Sequence, residues 1–206
     1  MECRNISVRV GSFALRDISF SIPIGSHAAL TGPTASGKTT LLEVIAGALA
    51  PDSGEVTVHG CVVTRKPPEE RSVGFVPQHG FLFPHLDVRD NIQYGLRSGS
   101  DASDIIARFA VAHLLHRSVA SLSGGERQLV AVCRALAPAA PLLLLDEPFS
   151  ALDGTRRAAA LSALAVLQAE RGFTVLHVTH QESDDSFATH TLRMADGTLT
   201  VERGVA

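Results

Sequence analysis

The sequence predicts an α/β protein with a mainly parallel sheet, an antiparallel β flank and an inserted helical lobe. Three observations carry this. Residues Gly32 to Thr39 read Gly-Pro-Thr-Ala-Ser-Gly-Lys-Thr, a complete G-x-x-x-x-G-K-[ST] phosphate loop between the apolar run His27–Thr31 and the helix-forming run Thr40–Ala46. Leu142 to Leu145 is wholly apolar and too short for a buried helix, so it reads as a central parallel strand, and it ends in Asp146-Glu147. Hydrophobic residues make up 45% of the 206, which suits a sheet covered on both faces.

In chain order, Ile6–Val10 and Ala14–Ile22 alternate as half-buried strands do, with Gly11-Ser12 between them and Phe13 at the turn. Pro23 to Ser26 is a second turn. The phosphate loop and its helix follow, and Gly47 stops the helix. Glu55–His59 is a strand after the turn Pro51-Asp52-Ser53-Gly54, and together these give an antiparallel flank beside a parallel core. Val73–Val76 is a short strand stopped by Pro77, and Gln78 follows at once. From His79 to about Val119 the pattern turns helical (Val88–Leu96, Ala102–Ala112), interrupted by Gly95 and Ser98-Gly99-Ser100. Leu122 begins a long helix that runs through Ala137, with Pro138 and Pro141 ending it. Leu152–Arg171 reads as helix, Thr174–Thr179 as a central strand ending at His180, and Asp184–Ala188 as a short helix. Thr191–Met194 and Thr198–Glu202 form a hairpin around Asp196-Gly197. The expected organisation is one domain over 1–206. Residues 1–78 and 135–206 form the core with its flank, and about 79–134 form the helical lobe.

Composition narrows the function. Net charge is −3 and no basic block stands out, so nucleic acid is a poor partner. Cys3, Cys61 and Cys133 are odd in number and far apart, which gives neither a disulfide framework nor metal spacing and fits a reducing cytoplasm. Met1-Glu2-Cys3-Arg4-Asn5 does not read as a signal peptide. No apolar run reaches the length of a membrane span, so any service to a membrane goes through a partner. His177/His180 and His113/His116 lack acidic or thiol companions. Spacing of three on a strand also puts side chains on opposite faces, which argues against a metal site.

The chemistry follows from residue types. Gly32 and Gly37 let the backbone turn and approach an anion. Successive N–H groups cradle phosphate oxygens, helped by the positive end of the new helix. Lys38 can reach the β- and γ-phosphates and the Thr39 hydroxyl can ligate Mg²⁺. The sheet carries Asp146 to its carboxyl edge, beside Thr39 and the Mg²⁺ shell, and places Glu147 to orient or deprotonate a water. Ser123-Gly124-Gly125-Glu126 is an S-x-x-E capping box. Two glycines in a first turn cost about 1 kcal/mol each against alanine, so bare backbone for a second anion is the competing reading. Gln78 can touch Mg²⁺ or water. A lone His180 is as compatible with structure as with catalysis. Phe13 is placed either to stack on a purine or simply to pack.

These motifs, in this order over nearly the whole chain, resemble the nucleotide-binding subunits of ABC transporters. Gly32–Thr39 resembles the Walker A loop, Gln78 the Q-loop, and Leu122–Glu126 with Arg127-Gln128 the ABC signature. Leu142–Glu147 resembles Walker B, Ser150-Ala151-Leu152-Asp153 the D-loop, and Val178-Thr179-His180 the switch histidine. The resemblance implies a RecA-like phosphate-loop NTPase core and an ATPase that uses ATP and Mg²⁺. It implies Glu147 and His180 as catalytic residues. It implies Phe13, Gly32, Pro33, Thr34, Ala35, Ser36, Gly37, Lys38, Thr39, Thr40, Gln78, Ser123, Gly124, Gly125 and Asp153 around the nucleotide, with Thr39, Gln78 and Asp146 toward the metal. Two copies would pair head to tail, each ATP lying between Lys38 of one chain and Ser123-Gly124-Gly125 of the other. Permease subunits in the membrane and a solute-binding protein would be the further partners, with the chain on the cytoplasmic face. Pro67–Arg71, Gly74–Gln78 and Leu82–Leu86 resemble importer ATPases, those for molybdate, tungstate or sulfate in particular. Gln181 and a short helical lobe between Arg97 and Ser121 depart from that pattern. A soluble assembly or repair ATPase, an exporter ATPase and a small-molecule kinase are the competing readings. A kinase would have no use for the Ser123-Gly124-Gly125 turn.

Overall fold

The computed structural model describes residues 1–96, 100–180 and 187–203. β1 (Glu2–Val10) and β2 (Phe13–Ser21) pair antiparallel about the Gly11-Ser12 turn, and register shifts in β1 bring Cys3, Ile6 and Val8 to the buried side. β4 (Ser53–Val58) pairs with the other edge of β1, and β5 (Cys61–Val62) with β4, giving the flank order β2-β1-β4-β5. The two-residue β5 lies outside the sequence expectation, being too short to leave a period.

The second sheet has the order β10-β9-β3-β8-β7-β6. Here β3 is His27–Thr31, β6 Val73–Val76, β7 Leu142–Asp146, β8 Thr174–Val178, β9 His190–Ala195 and β10 Thr198–Arg203. All neighbours are parallel except β10, which runs back along β9. Every residue of β7 and β8 is buried, as an apolar run inside a covered parallel sheet requires.

Five α-helices are present among the described residues: α1 (Lys38–Ala46), α2 (Val88–Gln93), α3 (Ser103–Arg108), α4 (Gly124–Leu136) and α5 (Gly154–Arg171). One core packs the flank and α1 against the sheet through Ile6, Leu15, Ile18, Leu41 and Ile45. The other packs α2, α3, α4 and α5 together through Ile92, Ile105, Val130 and Leu164, against Leu143 and Leu145 of β7.

Four helices are shorter than their patterns suggest, α4 because Ser123 caps it and Ala137 ends it. α2 stops at Gln93 and turns through Tyr94-Gly95, with the Leu96 N–H donating to the Gln93 carbonyl at 3.0 Å. α3 stops at Arg108 because Ala110 takes a left-handed φ of +53°, and only a 3₁₀ turn, Ala112–Leu114, follows. α5 begins at Gly154, not Leu152, because the Asp153 side chain accepts from the Arg156 N–H at 2.9 Å and caps it. The short helix expected over Asp184–Ala188 lies largely outside the described residues.

Candidate functional site

β3 delivers the chain into the phosphate loop at the carboxyl edge of the sheet, where α/β folds bind ligands. Gly32 has φ +134°, and a Cβ there would run into the Met194 carbonyl of β9. Gly37 has φ +105°, and a Cβ would lie 2.6 Å from both Leu15 Cδ2 and Phe13 Cζ. Both glycines are therefore demanded twice, by conformation and by space. The same contact shows that the Phe13 ring packs on the loop, and the ring also lines the cleft.

Lys38 opens α1 and folds back over the loop. Its Nζ donates to the carbonyls of Gly32 at 2.9 Å and Pro33 at 2.8 Å, and it is only 6% exposed. Burial pushes its ammonium below the usual lysine range, against the opposing pull of Glu147 and Asp146. Thr39 Oγ1 donates to Asp146 Oδ2 at 2.8 Å, joining α1 to the end of β7. Asp146 is 1% exposed, and burial pushes its carboxyl above the usual range although the Thr39 bond partly offsets this.

Glu147 comes next, in a left-handed conformation with φ +49°. Its N–H donates to the Val178 carbonyl at 3.1 Å. Its Oε1 lies 2.8 Å from His180 Nε2, and its Oε2 is 3.5 Å from Gln78 Nε2. The ends of β6, β7 and β8 thus converge on one carboxylate. The cleft they border holds about 540 Å³ and is lined by Val10, Phe13, Thr34, Ala35, Gly37, Lys38, Thr39, Thr40, Gln78, Glu147 and His180. Ser36 lies beneath the loop, 2% exposed, its Oγ without a hydrogen-bond partner among the described residues.

These residues fit a magnesium–nucleotide. Thr39 Oγ1 and Asp146 Oδ2 are hard oxygen donors side by side, and Asp146 is a carboxylate whose charge burial disfavours. Among the described residues no group of three or more His, Cys, Asp and Glu could hold a metal by itself. Mg²⁺ takes one or two protein oxygens and completes its shell with phosphate and water, so the Thr39 and Asp146 oxygens are donors it can use.

The second anion element does not line this cleft. Ser123, Gly124, Gly125 and Asp153 are absent from its walls. Ser123 makes both halves of the capping box: its Oγ accepts from the Glu126 N–H at 3.3 Å, and its N–H donates to Glu126 Oε2 at 2.7 Å. The two glycines differ. A Cβ on Gly125 would sit 2.6 Å from Leu152 Cδ2 and 3.1 Å from the Ala151 carbonyl, so packing explains this residue. A Cβ on Gly124 would meet nothing closer than Ala151 Cβ at 3.4 Å, so packing leaves Gly124 unexplained.

Some residues at the site have contacts that the sequence does not announce, although Gln128 falls in the signature stretch. Asn91 is fully buried in α2 and fixes the segment after Gln78, accepting from the Phe83 N–H at 2.8 Å and donating to the carbonyls of Phe83, Leu86 and Asp87. Arg134 of α4 donates to the Gly80 carbonyl at 2.9 Å and lies over the Phe83 ring. Gln128 of α4 contacts the turn after Glu147.

Fold and cleft together define a phosphate-loop α/β protein with its acidic pair at the strand ends. A family model described as "ABC transporter" matches residues 15–150, and the chain belongs to that family. It is 43% identical over 188 residues to the molybdate/tungstate import ATP-binding protein of Pyrococcus abyssi, covering 87% of this chain and 55% of that protein. It is 45% identical over 197 residues to the Fe(3+) ions import ATP-binding protein of Pseudomonas fluorescens, covering 90% and 56%. The chain thus spans about half the length of the curated relatives it matches. Among solved structures, it resembles an ATP-binding cassette in a dimeric post-hydrolysis state bound to ADP and Pi, with a TM-score of 0.85, 27% identity and 99% of both chains covered.

Proposed function

We propose that this chain is the ATP-binding and ATP-hydrolysing subunit of an importer, working as a head-to-tail pair with a second copy of itself. The observation that carries the reading is the convergence on Glu147 of Gln78 and His180, beside the Thr39–Asp146 pair and Lys38. Lys38 and the loop N–H groups bind and orient the triphosphate. Thr39 and Asp146 would hold Mg²⁺, which would neutralise phosphate charge. Glu147 orients the attacking water and takes its proton, with His180 fixing the carboxylate. Ser123 and Gly124 supply the opposite wall from the second copy, which accounts for a glycine that packing within one chain does not require.

The importer assignment rests on the relatives, whose names give molybdate/tungstate in one case and Fe(3+) in the other. We favour an inorganic oxyanion. The choice of solute would lie with permease subunits and a solute-binding protein. No helix among the described residues is long and apolar enough to cross a membrane. We place the chain on the cytoplasmic face, as one cassette over 1–206 with 79–134 as its helical lobe. The exposed rings of Phe81 and Tyr94, close in sequence to Gln78 and α2, offer the permease a surface.

The test is turnover and oligomeric state in two variants. Lys38→Ala should abolish ATP hydrolysis. Glu147→Gln should bind ATP, hydrolyse it about 10²-fold or more slowly, and accumulate as a dimer. A Glu147→Gln protein that stays monomeric in saturating ATP, or a Lys38→Ala protein with full turnover, overturns the reading.

A further inference from the structure

Gln128 lies on the second turn of α4 and is 8% exposed. Its Nε2 donates to the Glu147 carbonyl at 3.3 Å and to Ser150 Oγ at 2.9 Å, and its Oε1 accepts from the Ala151 N–H at 2.9 Å. Ser150 Oγ in turn donates to the Glu147 carbonyl at 3.1 Å, and the Ser150 N–H does so at 3.3 Å. The residue held this way has φ +49°, a conformation that costs a side-chain-bearing residue about 1–2 kcal/mol. That φ sets the direction of the Cα–Cβ bond, and so sends the carboxylate between Gln78 and His180. Gly125, one turn earlier on α4, seats the same helix against Ala151 and Leu152 with no room for a Cβ.

We propose that Gln128 is a positioning residue for hydrolysis. It holds the backbone of Glu147 in its left-handed conformation and ties that conformation to the seating of α4. The proposal rests on Glu147 being the residue that activates water. It adds a direct link between the helix whose first turn, Ser123–Gly125, faces the partner's nucleotide and the acid of this chain's own site. Loss of the link lets Glu147 relax toward right-handed φ, and its carboxylate leaves the line of attack. None of Gln128's bonds goes to the phosphate loop, so nucleotide binding is untouched.

The test is steady-state ATP hydrolysis by the full chain at saturating ATP, with nucleotide affinity measured in parallel. Gln128→Leu should lower kcat by about 10- to 100-fold with KM for ATP within about twofold of wild type. Gln128→Glu supplies a readout that packing alone would not move. Its carboxyl keeps an acceptor for the Ala151 N–H, but has a proton to donate to the Glu147 carbonyl only when protonated. Burial at this position raises the introduced carboxyl above its ordinary value of about 4.3, so kcat relative to wild type should rise as pH falls from about 7 to about 5, while the Gln128→Leu ratio stays flat. Unchanged kcat in folded Gln128→Leu overturns the proposal. So does a fall matched by equal loss of ATP affinity, and so does a pH-independent Gln128→Glu ratio. If Gln128→Leu does not fold, Ser150→Ala removes one donor from the Glu147 carbonyl and is read the same way. It should lower kcat by about three- to tenfold at constant KM, and no change overturns the proposal. Glu147→Gln is the control. Full activity there removes the role of Glu147 itself and the proposal with it. An inactive Glu147→Gln beside a fully active Gln128→Leu removes only the positioning role.

Discussion

The imidazole of His177 makes the stability of this fold depend on pH in a way that can be worked through. His177 lies on β8, 1% exposed, its ring 5.7 Å from that of His27 and 6.2 Å from that of Phe149. Its Nδ1 has no hydrogen-bond partner among the described residues. Burial pushes its pKa down to about 4 from the ordinary 6.5. The native state therefore holds it neutral while the unfolded chain takes up a proton. A depressed value in the folded state means that the stability is present above about pH 6.5 and is lost as pH falls toward 4. The full difference of about 2.5 units corresponds to roughly 3 kcal/mol, of which about 2 is already lost at pH 5. In a chain of this length that is a fall in Tm of about 4–8 °C. The assay is thermal denaturation of wild type and His177→Leu at pH 7 and pH 5. Only the difference between their pH-induced shifts is read, because leucine also alters packing and because other groups titrate equally in both. Wild type should lose about 4–8 °C more than the variant on acidification. Equal losses would refute the reasoning.

Three further outcomes follow from the geometry. Gly125→Ala should cost about 1–3 kcal/mol because its Cβ must displace Leu152 or Ala151, whereas Gly124→Ala should hold or raise Tm yet cut ATP turnover by about tenfold or more; differential scanning fluorimetry beside a phosphate-release assay separates them. Asp146→Asn removes a buried carboxylate whose charge burial disfavours, so the unliganded Tm should hold or rise while turnover falls about 10²-fold or more, measured by the same pair of assays. Arg71→Met should destabilise by about 3 kcal/mol or more in urea denaturation, because it strands the carbonyls of Val44, Ile45, Thr64 and Lys66 that the buried guanidinium now satisfies.

Much of this was legible because it is local. The loop from Gly32 to Thr39 announces itself by glycines that the structure shows to be sterically required, and Leu142–Leu145 by an apolar run bounded by acids. The capping box at Ser123 was legible too, since a cap needs only residues three apart. The contact between Glu147 and His180 was not, because it joins the ends of β7 and β8, and only strand order brings them together. Arg71, Asn91 and Gln128 are obscure in other ways. Arg71 reaches back to the carbonyls of Val44 and Ile45 and Gln128 forward to that of Glu147, partners that only the fold brings near, whereas Asn91 bonds Phe83, Leu86 and Asp87 close by in the chain, through an irregular loop with no periodic pattern to announce it. The overlong reading of α3 failed for a smaller reason: Ala110 is a good helix former by propensity, yet takes φ +53° to end the helix.

A left-handed glutamate at the end of a buried strand needs a reason, and the hydrogen bonds around it supply one. The conformation costs about 1–2 kcal/mol, and a net hydrogen bond returns about 1 kcal/mol. The Glu147 N–H bond to Val178 and the donors from Gln128 and Ser150 to its carbonyl are therefore together enough to hold it. Those supports come from three different places, from β8, from α4 and from the turn after β7. Lys38 and the loop glycines, by contrast, rest on contacts within the loop and with β2 and β9, and share none of these supports. In the proposed assignment, binding and hydrolysis are thus held by separate parts of the fold. A shift of α4 relative to the sheet would change the rate of hydrolysis long before it changed the affinity for nucleotide.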